Sequence, residues 1–317
     1  EVGWLFKSPI GDGGQWTTFA DNVMKYGLVP TDAMPDTYQS ENTKIMSKLL
    51  RRKLREDGMK MRALANSKMT EELKEEAKLE MLSEIYRILV LSLGEPPTEF
   101  EWQFKDKDGN ISEEKTYTPK QFYDDLVGID LSEYIMFMND PVREYNKVYE
   151  VQYDRNLVEG GNWKYINLPN AKIKEFAKNS ILGNDPMYFS CDVGKQLNSK
   201  SGVLDLSNYN YDDLFGVNFE MNKKERIQTF ESGSTHGMAL VGVNIQPDGS
   251  IDKWLLENSW GASKGNKGFL TMTDKWFDEY MFRLVIHKSF IDDDVLDILN
   301  QKSIKLPPWD PMFAPEM

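Results

Sequence analysis

The spacing of apolar residues changes along this 317-residue chain, and that change constrains the fold more than any other feature. From about residue 36 to 97, apolar side chains recur every three or four positions, which is the period of a helix that buries one face. Thr70 is a suitable helix N-cap and Gly94 a suitable stop. The clearest stripe consists of Leu73, Ala77, Met81, Ile85, Leu89 and Ser92. This segment is therefore predicted to contain two long helices.

Beyond residue 144 the apolar residues form short runs, beginning with a period-two alternation from Tyr145 to Tyr153. The four prolines between residues 306 and 317 predict an extended arm that is not helical. Strands are predicted at 187–193, 238–245, 254–258, 268–272 and 282–287, and helices at 171–182 and 273–280. A helical segment followed by a strand-rich region is typical of an α+β protein.

Charge argues against a role in binding nucleic acid, because 51 acidic residues outnumber 38 basic ones and the net charge is −13. The one basic cluster, at 48–55, is interpreted as the solvated face of a helix. No run of about 18 apolar residues is present, so no membrane span is expected. No cluster of His, Cys, Asp and Glu has the spacing of metal ligands, and no phosphate-binding or dinucleotide fingerprint occurs, so neither a metal nor a cofactor is expected.

A single cysteine, Cys191, rules out a disulfide within the chain and suits a reducing compartment, so we expect a cytoplasmic location. The chain starts Glu1-Val2-Gly3-Trp4, which is neither an initiator methionine nor a signal peptide. We therefore expect these residues to come from the middle of a longer protein or to follow a processing site.

Two residues carry the clearest chemistry. His236 stands at the start of one predicted strand, and Asn258 stands at the end of another, followed by Ser259-Trp260-Gly261. Thiol peptidases need an imidazole to exchange a proton with a thiol, and a side-chain amide to orient that imidazole. Adjacent antiparallel strands would bring the two residues together, with Trp260 shielding their hydrogen bond from water. Without the Asn-Ser-Trp-Gly string, a structural histidine would be the better interpretation.

Several sequence blocks resemble the papain superfamily, and specifically its bleomycin hydrolase and aminopeptidase C branch. They occur in family order along the whole chain: DGGQW (12–16), KYGLVP (25–30), CDVGK (191–195), NSWG (258–261), MTDKWF (272–277) and LPPWDPM (306–312). The resemblance implies a papain-like α+β fold of two lobes with an inserted helical subdomain, and a cysteine aminopeptidase that acts on peptides with a free N-terminus. It also implies a homo-hexamer.

The same resemblance divides the chain into four parts. Residues 1–35 would be the remainder of the nucleophile-side lobe, 36–143 an inserted helical and hairpin subdomain for oligomer contacts, 144–300 a barrel-like lobe, and 301–317 an arm into the active-site cleft. The implied catalytic residues are His236 and Asn258. The implied substrate-binding residues are Gly13, Gly14, Trp260 and Met317, the last through a carboxylate that meets the substrate's amine. A simple tight turn is an equal interpretation of the glycine pair.

The chain departs from the family pattern in one important respect. The nucleophilic cysteine and the glutamine before it lie upstream of the DGGQW block in the family, and neither is in this sequence. Gln15 belongs to the turn block, and Cys191 belongs to a strand block, where we expect it to be structural; His287 is interpreted as structural too. Two hypotheses remain open: a peptidase whose cysteine is supplied by an upstream segment, and a non-catalytic, ring-forming relative.

Overall fold

A computed structural model describes residues 2–11 and 13–313 of the chain. The helices are α1 (Val2–Lys7), α2 (Trp16–Tyr26), α3 (Tyr38–Glu41), α4 (Lys44–Ala65), α5 (Glu71–Leu93), α6 (Pro119–Phe122), α7 (Asn170–Leu182), α8 (Tyr211–Phe215), α9 (Lys223–Gln228), α10 (Asp274–Tyr280) and α11 (Asp293–Leu296). The strands are β1 (Phe100–Trp102), β2 (Lys115–Tyr117), β3 (Tyr134–Met138), β4 (Lys147–Val151), β5 (Lys164–Asn167), β6 (Met187–Cys191), β7 (Leu197–Asn198), β8 (Val203–Leu204), β9 (His236–Ile245), β10 (Ile251–Glu257), β11 (Phe269–Thr273), β12 (Met281–His287) and β13 (Ile304–Leu306).

The chain divides into two compact units, one of residues 1–14 and 22–129 and the other of residues 15–21 and 130–317. The two predicted long helices, α4 and α5, belong to the first unit and pack against each other. The Thr70 hydroxyl caps α5 by accepting a hydrogen bond from the Leu73 amide, as expected. Lys53 of α4 forms ion pairs with Asp57 and with Glu84 of α5.

A short hairpin closes the first unit. Its strands β1 and β2 pair antiparallel, and Thr118 begins α6 with a reciprocal cap to Gln121. Gly27, just after α2, has a φ of +79°, and a Cβ there would lie 2.1 Å from the carbonyl oxygen of Pro119. The chain therefore needs glycine at this crossing, both for the left-handed backbone and for the close approach.

The second unit is built on one sheet of eleven strands, in the order β13-β4-β5-β3-β12-β6-β9-β10-β11-β8-β7. Most neighbours are antiparallel, but β3–β5, β4–β13 and β8–β11 are parallel. Strand β12 occupies the middle of the sheet, where it pairs with β3 on one side and β6 on the other. The late strands and helices agree with the sequence prediction to within about three residues.

Each face of this sheet carries its own core. One face packs with α7 and α10 around Phe176, Phe189, Trp254, Trp276 and Phe277, all of which are almost fully buried. The other face holds Met138, Tyr165, Phe282 and Met312, with Trp16, Tyr188 and Phe313 packed against them. Consecutive residues of β6 contribute to opposite faces, as strand geometry requires.

The C-terminal tail differs in part from the predicted extended arm. Strand β13 is extended and pairs parallel with β4, but Pro311–Phe313 forms a single 3-10 turn. The turn forms because Asp310 accepts hydrogen bonds from the amides of Met312 (3.1 Å) and Phe313 (2.9 Å). Proline fits the first position of a turn because its missing amide proton is not needed there. An ion pair between Arg143 and Asp310 fixes the segment to the second unit.

None of the helices in the described residues is both long and apolar enough to cross a membrane. The four-part division of the chain stays a prediction.

Candidate active site

The site is assembled by two neighbouring strands. Strand β9 begins at His236, strand β10 ends at Glu257, and the two pair antiparallel with Ala239 opposite Glu257. The start of β9 therefore lies beside the end of β10, where the chain continues into Asn258. The sequence predicts this arrangement, and the structure brings the two side chains into contact.

The hydrogen bond between them has a defined polarity. His236 Nε2 lies 2.9 Å from Asn258 Oδ1, and the same oxygen accepts a bond of 2.8 Å from the Ser259 amide. Since a backbone N–H can only donate, the atom facing it is the amide oxygen, and the imidazole must then donate through Nε2. A neutral ring in this tautomer has an unprotonated Nδ1, which is the atom a proton-accepting base needs.

Trp260 covers the imidazole. Its ring centroid lies 5.0 Å from that of His236, with 33° between the planes. His236 and Asn258 are half-buried, whereas Trp260 is exposed on its outer face. Trp260 therefore lies against the His236–Asn258 pair, as the sequence predicts. An aromatic ring in this position keeps water from one side of the histidine.

The loop before His236 is held by buried polar groups that sequence reasoning did not place at the site. Ser232 Oγ donates to Asp192 Oδ2 (2.7 Å), and both residues are buried. The Thr235 amide donates to the carbonyl oxygen of Cys191 (3.1 Å). These hydrogen bonds fix the position at which β9 starts. The serine-rich string before His236 is the one sequence signal that could have indicated them.

Cys191 lies directly opposite His236 in the pairing of β6 with β9, yet it has the features of a core residue. Its side chain has no exposed surface and belongs to the apolar cluster around Phe189. Burial raises the pKa of this thiol well above its usual value, with a smaller contribution from Asp192, so the thiol stays protonated. A substrate carbonyl could not reach it, which supports the structural role expected for Cys191.

The other predicted substrate-binding residues stay predictions. Gly13 and Gly14 lie in the first unit, where both are exposed and a Cβ on either would meet no atom within 4 Å. Met317 lies outside the described residues. The other histidine, His287, bonds Ser289 through Nδ1 (2.7 Å) and packs against Tyr134. Within residues 2–11 and 13–313, no three His, Cys, Asp or Glu side chains are grouped as metal ligands would be.

The whole chain is similar in sequence to known peptidases. Residues 1–313 match the model of the Peptidase C1-like family. The chain belongs to that family. It is 38% identical to aminopeptidase C of Listeria monocytogenes over 98% of this chain and 70% of that protein. It is 39% identical to bleomycin hydrolase of Rattus norvegicus, over 99% of this chain and 70% of that protein.

A solved structure of the family supports the fold. The crystal structure of PepW from Lactobacillus rhamnosis superimposes with a TM-score of 0.95 at 37% identity, covering 98% of this chain and 71% of that one. The predicted papain-like α+β fold and the predicted family are both confirmed.

Proposed function

We propose that this chain forms the histidine–asparagine part of a cysteine aminopeptidase that removes N-terminal residues from peptides. The observation that carries the proposal is the His236–Asn258 hydrogen bond of 2.9 Å beneath Trp260. It orients the imidazole so that Nδ1 takes the proton of a thiol, and Nδ1 then returns that proton to the leaving amine. The names of relatives such as aminopeptidase C agree with this reaction.

The nucleophile in this proposal comes from polypeptide outside these 317 residues. Cys191 is the only cysteine of the chain, and its thiol is buried and held protonated. This chain covers about 70% of the length of the relatives named above, so those proteins contain further polypeptide. The proposed thiolate attacks the peptide carbonyl, the imidazolium protonates the departing amine, and water then releases the acyl group.

Other parts of the chain have roles within the same proposal. Gly13 and Gly14 would pair with the substrate backbone, and the carboxylate of Met317 would meet the substrate's α-ammonium and so favour free N-termini. The apolar residues of α4 and α5 would join six copies of the protein into a ring. A cytoplasmic location belongs to this proposal as well, supported by the single cysteine.

The test compares the two histidines in the protein that carries the nucleophile. We expect His236→Ala to lower kcat/KM for an aminoacyl anilide at least about 1000-fold, because the thiol loses its base. Asn258→Ala should cost less, about 10- to 100-fold, since the imidazole can find its orientation by other contacts. His287→Ala is the matched control and should leave the rate unchanged. Equal rates for His236→Ala and the parent protein would contradict the proposal.

The absence of an accessible thiol from this chain favours a second candidate, a non-catalytic member of the family that keeps the fold as a binding protein. Intact-mass measurement of the natural protein separates the two. A mass equal to these 317 residues, together with no effect of iodoacetamide on any peptide hydrolysis, would select the non-catalytic candidate.

A further inference from the structure

Lys223 is the first residue of α9, and its side chain is almost completely buried. Its Nζ donates hydrogen bonds to Asn139 Oδ1 (2.8 Å) and to the carbonyl oxygens of Met281 (2.5 Å) and Asp278 (3.3 Å). The nitrogen also lies 5.0 Å from the centre of the Phe282 ring. Each N–H of the ammonium group therefore has an acceptor, and these acceptors are an amide and two carbonyls rather than a carboxylate.

A lysine in this environment is costly, because its charged form loses contact with water. The pKa of Lys223 is lowered to about 7, since burial outweighs the opposing charges of Glu279, Asp278 and Asp140. Arg226 adds to the lowering. An amine without its extra proton keeps two N–H groups, enough for the two shorter bonds. An apolar side chain of similar size would avoid the cost but would make none of these bonds.

These bonds attach α9 to the C-terminal end of α10. The carbonyls of Asp278 and Met281 belong to the last turn and the C-cap of α10, where a helix leaves carbonyl groups unsatisfied and favours a cation. Arg226, further along α9, donates to the carbonyl oxygen of Glu279 (3.3 Å) and forms an ion pair with its carboxylate. Two cations of α9 thus close the end of α10.

The segment that leads from α9 to His236 is bonded along its length. The carbonyl oxygen of Arg226 accepts hydrogen bonds from the amides of Glu231 (2.8 Å) and Ser232 (3.2 Å). Ser232 and Thr235 are in turn bonded to the end of β6. The position of α9 is therefore transmitted through the main chain to the start of β9.

The pairing of the strands gives a second link between Lys223 and His236. Met281, whose carbonyl accepts from Lys223, stands opposite Cys191 in the pairing of β12 with β6. Cys191 stands opposite His236 in the pairing of β6 with β9. Strand β12 begins, β6 ends and β9 begins at this level of the sheet. Lys223 thus holds the backbone at the end of the sheet where His236 stands, and it needs no contact with the imidazole.

We propose that Lys223 is a positioning residue for His236: it holds α9 against the end of α10, so that the segment between α9 and β9 presents the imidazole to Asn258. The inference rests on the proposed function, because a base works only in the correct orientation. It adds to that function a residue that acts through the main chain.

The first experiment observes the imidazole directly and needs no turnover. The chain has two histidines, so proton–nitrogen NMR spectra at about pH 8, where an ordinary imidazole is neutral, can resolve both, and His236→Ala assigns them. The variants are Lys223→Met, Lys223→Gln and Lys223→Arg. Lys174→Met is the matched control, because Lys174 also attaches to α10, but through the carboxylates of Asp274 and Asp278. Circular dichroism verifies that each variant is folded.

We expect His236 of the parent chain to carry its proton on Nε2, as the bond to Asn258 requires. Lys223→Met should give a mixture of the two tautomers, because the start of β9 is no longer held in one position. Lys223→Gln and Lys223→Arg should keep more of the Nε2 form, since both retain N–H donors. Lys174→Met should match the parent, and the signals of His287 should be the same in every variant.

The second experiment measures kinetics in the protein that carries the nucleophile. Lys223→Met should lower kcat for an aminoacyl anilide about 10- to 100-fold, because the base is misplaced. The KM should change little, since the substrate loses no contact. Lys223→Arg should recover part of the rate. If His236→Ala leaves the rate unchanged, the proposed function fails, and the NMR spectra still decide the role of Lys223.

A folded Lys223→Met or Lys223→Gln chain in which His236 shows the parent's single tautomer would overturn the proposal. An equal change in Lys174→Met would also overturn it, because any loosening of α10 would then have the same effect. If neither the Met nor the Gln variant folds, Lys223 serves folding rather than positioning, and the proposal is wrong.

Discussion

The helix pair α4–α5 and the eleven-stranded sheet both carry regular apolar stripes, but they bury them to very different extents. Side chains such as Phe189 and Leu284 in the sheet have no exposed surface. On α5 no residue is fully buried, and the stripe residues Met81, Ile85 and Leu89 are only half-buried. Outside that stripe, Leu79, Leu82 and Tyr86 are about half exposed. The spacing of apolar residues thus predicts whether a segment is a helix or a strand. It does not predict how deeply the apolar face is buried, because that depends on the tertiary fold or on another molecule.

The largest expected effect comes from the sheet. Phe189→Ala should lower the free energy of unfolding by about 3–5 kcal/mol, because it removes a fully buried ring and leaves a cavity between β6 and α10. Urea unfolding followed by far-UV circular dichroism measures the change. A loss below about 1 kcal/mol would show that this face of the sheet repacks, and would weaken the contrast with the helices.

An intermediate effect of opposite sign is expected at Asp154, a polar exception within the second unit. The pKa of Asp154 is raised to about 6 because the effect of burial outweighs the opposing effects of the Arg283 charge and the hydrogen bond from Gln15. The folded protein therefore binds more protons than the unfolded chain between about pH 4 and 6, and this residue's contribution to stability falls as pH rises through that window.

Asp154→Asn keeps an oxygen that accepts the hydrogen bond from Gln15, but it removes the cost of burying a charged carboxylate. We expect the variant to be more stable than the parent by about 1–3 kcal/mol at pH 7, and the two to converge near pH 4. Urea titrations at pH 4, 5, 6 and 7 measure the trend. A difference that does not vary with pH would exclude the ionisation of Asp154 as its cause.

The smallest effect on unfolding is expected on α5. Leu82→Ala should change the stability of the isolated chain by less than about 0.5 kcal/mol, because the side chain is half exposed and alanine favours helix. Analytical ultracentrifugation of the same variant then measures whether the exposed side of α5 joins copies of the protein. A reduced mass relative to the parent, with unchanged stability, is expected if α5 forms contacts between copies; Lys78→Ala on the same helix is the control.

Much of the fold followed from local pattern. Caps and stops placed α5 correctly, alternation identified β4, and short apolar runs identified the strands from β9 to β12. Strands β3 and β5 were not predicted. Strand β3 is a short apolar run, which carries no period, and β5 has only four residues, two of them polar. The 3-10 turn at Pro311–Phe313 was missed because the side chain of Asp310 supplies the capping bond that proline content alone does not reveal.

The candidate site divides in the same way. His236 and Asn258 were identified because each stands in a specific string at a strand end. Asp192 and Ser232 were not placed there because their contact joins residues 40 positions apart.

The central position of β12 has a consequence for biosynthesis. Strands β3–β5 and strands β6–β11 emerge from the ribosome first, and the two groups are joined only when residues 281–287 insert between β3 and β6. Until then both of those strands present unpaired edges, which favour pairing with other chains. A nascent or truncated chain that stops before Met281 is therefore expected to be the form of this protein most prone to aggregate, and to need a chaperone most.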